Sequence, residues 1–120
     1  MNKVAILLAL SLAGTPNCAL ASEYSQQLSK LRATMRYVRA LPPGTKTALR
    51  CPDHIEKLKG VSIITVVASL SDADRFVDNT YSYYLASRPV EGQRGGGYPV
   101  ITFHVGSSRK VDRVSCAYAK

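Results

Sequence analysis

Two histidines, three cysteines and a short run of aspartates are the residues of this 120-residue chain with chemistry beyond packing to offer. A zinc site needs three or four convergent Cys, His or carboxylate ligands. His54 and His104 lie far apart in the sequence, and if Cys51 and Cys116 are oxidised, too few partners remain. The histidines therefore read as surface or structural residues, and no metal is expected. Asp72, Asp74 and Asp78 form a carboxylate cluster, but the spacing lacks the glycine and distal glutamate of a calcium loop. Loop and cap duties explain it better. Ser115 stands beside Cys116 with no accompanying nucleophile turn or Ser-His-Asp constellation. Gly92-Gln93-Arg94-Gly95-Gly96-Gly97 has the composition of a phosphate cradle, yet such a cradle opens a helix. Here Tyr98-Pro99-Val100 leads towards a strand. No catalytic residue and no cofactor are expected.

The cysteines say more about address than about catalysis. Met1-Asn2-Lys3 is a short positive end, Val4 to Ala13 an apolar run interrupted only by Ser11, and Ala19-Leu20-Ala21 offers small residues at the peptidase positions. That is the pattern of a cleaved secretory signal over residues 1–21. The apolar run is too short to span a bilayer, which takes about 20 residues. Cys18 raises the possibility of lipidation, but Thr15-Pro16-Asn17 precedes it where a lipoprotein signal would place Leu-Ala-Gly. The expected product is periplasmic or secreted, is not lipidated and has no transmembrane segment. Cleavage leaves two cysteines in an oxidising compartment, which favours a Cys51–Cys116 disulfide over two free thiols or a catalytic cysteine. Closing so long a loop is worth roughly 4 kcal/mol, a large share of a small domain's stability.

Charge narrows the partners. The formal net charge is +8, and removal of Lys3 leaves +7. Such a domain is drawn to anionic surfaces. Nucleic acid would attract it through phosphate neutralisation, but the export signal makes that partner unexpected.

The elements that must position these residues follow from periodicity. Tyr24, Leu28, Leu31, Met35 and Val38 recur every three or four residues, one face of an amphipathic helix. It belongs to a basic N-terminal segment, residues 22–44, which ends at Pro42-Pro43-Gly44 and either packs on the domain or stays a basic arm. Residues 45–120 make up the remaining domain. A short helix is predicted over Pro52–Leu58, with Gly60 as its stop. Ser62 reads as the N-cap of a further helix carrying Ile63, Val66, Val67 and Leu70, with strand as the rival for so β-branched a run. Then the period changes to two. Tyr81, Tyr83 and Leu85, then Ile101, Phe103 and Val105, then Val114 and Cys116 each alternate with polar positions, predicting three half-buried strands with a turn at Gly106-Ser107-Ser108. The predicted fold is α+β, ααβββ, a three-stranded antiparallel meander with helices on one face and one disulfide. Parity puts Cys116 on the inward face of the last strand, opposite the entrance of the first covering helix.

Leu58-Lys59-Gly60-Val61-Ser62, Val66-Val67-Ala68-Ser69-Leu70-Ser71-Asp72, Tyr81-Ser82-Tyr83-Tyr84, Ile101-Thr102-Phe103 and Lys110-Val111 follow one another in an order that resembles the SmpA/OmlA (BamE-like) family. The likeness covers residues 58–120. It implies an ααβββ domain of the type seen in β-lactamase inhibitor protein, and a role in outer-membrane assembly or maintenance through protein contacts. The chain departs from the family in its missing lipidated cysteine, in Ser71-Asp72 at the family's Leu-Gly-x-Pro turn, and in its cysteine pair.

Two surfaces are candidates for contact. The helix carrying Lys30, Arg32, Arg36 and Arg39 is the basic patch suited to an anionic surface such as a lipid layer. Ser82, Tyr84, Val100, Thr102, His104, Arg113 and Ser115 share, by strand parity, the sheet face away from the helices, with Tyr84, Thr102, His104 and Arg113 its candidate partner-binding residues. The expected function is that of a non-enzymatic periplasmic interaction protein. The alternative is a secreted or periplasmic inhibitor or immunity protein acting on an acidic hydrolase or toxin.

Overall fold

Residues 16–42, 50–87 and 98–118 are described by the computed structural model. Met1–Thr15, which contains most of the expected signal, lies outside them, as does the Gly92–Gly97 loop.

The apolar stripe of the first helix is core rather than arm. Helix α1, Pro16–Arg39, buries Leu28, Leu31, Met35 and Val38. The first three belong to one cluster with Leu58, Tyr83, Ile101 and Phe103. The helix begins earlier than the sequence predicts, crossing the expected cleavage point after Ala21, and stops at Arg39. Arg36 and Arg39 occupy its last turn, where cations suit the negative end of the helix dipole.

In place of the predicted helix over Pro52–Leu58 there is a 3-10 turn, Ile55–Leu58. His54 before it is left-handed, with φ 62°, which interrupts any helical run from Pro52. Lys57 N bonds to His54 O at 3.1 Å and Lys59 N to Glu56 O at 3.1 Å. Leu58 anchors the turn in the core. Gly60 follows with φ +96°, and a Cβ there would meet the Tyr24 hydroxyl at 2.8 Å. Only glycine satisfies both conditions.

Helix α2, Ile63–Leu70, starts where Ser62 Oγ accepts the Ile64 amide. That cap and the helical spacing of buried Ile63, Val66 and Leu70 prevail over the strand preference of a β-branched run. It ends at Ser71, φ 72°, whose amide bonds to Val67 O at 2.8 Å.

The sheet corrects the expected topology. It has four strands, all antiparallel, in the order β1 (Arg75–Val77), β2 (Thr80–Tyr84), β3 (Pro99–Val105) and β4 (Val111–Tyr118). The fold is α+β, but the ααβββ reading lacks β1. The turn between β1 and β2 is Asp78-Asn79, with φ 49° and 59°. Positive φ at both central residues is the hairpin geometry that matches strand twist. A register shift falls at His104/Val105, and the next turn runs on to Arg109, also at positive φ, so it is longer than Gly106-Ser107-Ser108.

One face of the sheet carries the core. Tyr83, Ile101 and Phe103 are fully buried, and the Tyr83 and Phe103 rings meet edge-on at 5.8 Å. The Cys51–Cys116 disulfide joins the segment before the 3-10 turn to β4, with Cα atoms 5.9 Å apart. Cys116 pairs with inward-facing Ile101, so the bridge sits on the helix side of the sheet.

Candidate functional site

Cross-strand partners in an antiparallel sheet project to the same side. The register pairs Thr80 with His104 and His104 with Arg113, Ser82 with Thr102 and Thr102 with Ser115, and Tyr84 with Val100. Tyr84, Thr102, His104 and Arg113 therefore lie on one face, opposite the face on which Tyr83, Ile101 and Phe103 are buried. Arg75 of β1 joins this face through Ser82, a cation outside the three strands that alternation predicts.

His104 is the centre of the arrangement. Thr80 Oγ1 lies 3.3 Å from its Nδ1. Arg113 Nη2 lies 3.4 Å from Nδ1 and 3.2 Å from Nε2. One nitrogen so near both ring nitrogens can sit only over the ring face, since in the plane it would collide with ring carbons. The guanidinium therefore reaches over the imidazole and meets it through Nη2. Farther along, the Tyr84 and Tyr98 rings are 5.9 Å apart at 52°.

The backbone beneath Tyr84 is held from the side. Its amide donates to Asp74 Oδ2 at 2.7 Å, and the same oxygen accepts from Arg39 Nη2 at 2.8 Å. Arg39 is thus largely buried and committed to Asp74. This corrects its place in the basic patch: a half-buried pair between α1 and the residue before β1 is structural. Lys30, Arg32 and Arg36 are exposed on α1, but Lys30 faces Pro52 and His54 while Arg32 and Arg36 lie on the α2 side, so they do not form one patch.

Tyr83, on the covered face, donates to Ser71 O at 2.7 Å. Burial first, then the nearby Asp72 and Asp74 carboxylates, pushes its phenol up to about 12. It holds the end of α2 against β2.

The two histidines are not brought together. His54 sits exposed on the 3-10 segment, with Nδ1 3.9 Å from Glu56. Asp74 is ion-paired and Asp78 occupies the hairpin turn. Among the described residues, no three His, Cys, Asp or Glu are grouped to hold a metal ion. Nor is any described helix long and apolar enough to cross a membrane.

No protein-family model, no curated protein and no solved structure matches this chain.

Proposed function

We propose that this chain is a non-enzymatic interaction protein of the bacterial cell envelope, exported by a cleavable signal, that docks a protein partner on the outer face of its sheet. The observation that carries the reading is the His104 cluster. Arg113 set against the imidazole, a flanking Thr80 and the neighbouring Thr102 and Tyr84 stand on paired strands rather than on loops. Side chains held this way lose little freedom on binding, and arginine and tyrosine are the residues most often dominant at interfaces. The resemblance of residues 58–120 to the SmpA/OmlA family supports the same class of role. The disulfide suits an exported domain.

The test is site-directed photocrosslinking in intact bacteria from Thr102 and Ser115, with mass spectrometry of the adducts. An envelope protein should be recovered from both positions. Arg113→Ala should weaken that complex by about 2 kcal/mol if Arg113 is a dominant contact. Recovery of a soluble hydrolase or toxin in a stoichiometric complex would replace this reading with the inhibitor one.

A further inference from the structure

A second surface carries an inference beyond the sheet face. Along α1, Ser25, Ser29, Arg32 and Arg36 recur at intervals of three and four, so they share one stripe of the helix. Along α2 and its cap, Ser62, Thr65 and Ser69 do the same. The two stripes face one another across a groove between the helices. Its larger part, about 450 Å³, is lined by Ser25, Ser29, Arg32 and the three α2 hydroxyls. A smaller part of about 100 Å³ continues past Arg32 and Ser69 to Arg36. No acidic side chain lines either part, and the chain is strongly cationic.

We propose that this α1–α2 groove binds an extended anionic glycan. Ser25 to Arg36 covers about 16 Å of helix at 1.5 Å per residue, which suits a chain more than a compact ligand. Serine and threonine hydroxyls both donate and accept, as sugar hydroxyls do. Arg32 and Arg36, one turn apart, present paired donors to carboxylate, sulfate or phosphate substituents. Leu28 and Val61 in the groove are buried, and hydroxyl side chains stand on both of its helices. That favours a glycan over an acidic peptide.

The experiment is calorimetric titration of the full disulfide-bonded chain with a size-defined oligogalacturonate and with a heparin-derived oligosaccharide. At least one should bind, and an uncharged oligosaccharide of equal length should not. Arg32→Gln with Arg36→Gln should weaken binding at least about tenfold, the loss expected for a charge-assisted bond. Thr65→Val with Ser69→Ala should weaken it by about threefold or more without changing the charge. Lys57→Gln with Lys59→Gln, which removes the same charge from the exposed 3-10 segment, should leave affinity within about threefold. Circular dichroism verifies the fold of each variant. Equal losses in the arginine and lysine variants would reduce the effect to general attraction and overturn the site. Failure of both charged glycans to bind would overturn it too, and equally tight binding of an oligoglutamate would assign the groove to acidic peptide instead.

Discussion

Arg39 and Asp74 meet at 2.8 Å across the junction between the end of α1 and the start of β1. The carboxylate oxygen that accepts the guanidinium also accepts the Tyr84 amide. Asp74 N in turn donates to Ser82 O at 2.9 Å. One aspartate therefore ties helix, edge strand and β2 together, and its side chain extends the β1–β2 pairing by one bond.

Removing that carboxylate should be costly. Asp74→Ala leaves a half-buried guanidinium and a strand amide without this acceptor, for a loss of about 2–3 kcal/mol. Asp74→Asn keeps an acceptor and should lose less. Urea denaturation of the oxidised protein measures both, and equal losses would show that charge carries the whole effect.

Tyr83 should make stability fall in alkali. Its folded pKa, about 12, lies above the ordinary value of 10.0. Its contribution is therefore complete below about pH 10. Between about pH 10 and 12 the unfolded chain gives up this proton while the folded chain keeps it, so stability drops as pH rises. The drop amounts to roughly 2–3 kcal/mol at most. Tyr83→Phe should cost about 1 kcal/mol at neutral pH for the lost bond to Ser71 and flatten the alkaline slope. Urea midpoints at about pH 8 and about pH 11 compare the two proteins, and an unchanged slope in the variant would refute the assignment.

Gly60→Ala should destabilise by about 1–3 kcal/mol, because φ is +96° and the added Cβ meets the Tyr24 hydroxyl. Tyr24→Phe removes that oxygen, together with its bond to Lys59 O. In a double-mutant cycle the glycine substitution should therefore cost less in the Tyr24→Phe background. Additive costs would locate the whole penalty in the backbone.

Reduction of Cys51–Cys116, or replacement of both cysteines by serine, should lower stability by about 2–4 kcal/mol. Thermal unfolding with and without reductant reads it directly. The bridge spans 65 positions and joins the segment before the 3-10 turn to β4. A shift of less than about 1 kcal/mol would mean that the reduced unfolded chain retains contacts of its own.

Much of this architecture is legible in residue spacing. The α1 stripe, the Ser62 cap and the alternation of Ile101 and Phe103 reflect periods imposed by local backbone geometry, which any one segment carries within itself. The cysteine pairing also follows from counting and parity, because the alternation that buries Ile101 places Cys116 on the same side. Strand β1 is hidden for the opposite reason. Three residues are too few to show alternation, and Asp78-Asn79 lacks the glycine that most clearly marks a two-residue hairpin.

The composition and order of residues account for the α+β class, the basic charge and the cysteine pair, since each depends on local pattern or on a simple count. The roles of individual charges depend on three-dimensional neighbours. Arg39 resembles Arg32 and Arg36 along α1, yet folding brings Asp74, remote in the chain, against Arg39 alone among them. His104 and His54 are equally unremarkable in sequence, and only strand pairing lays Arg113 over one of them. Long-range contacts decide these roles because electrostatics and hydrogen bonding act through distances that no sequence period encodes.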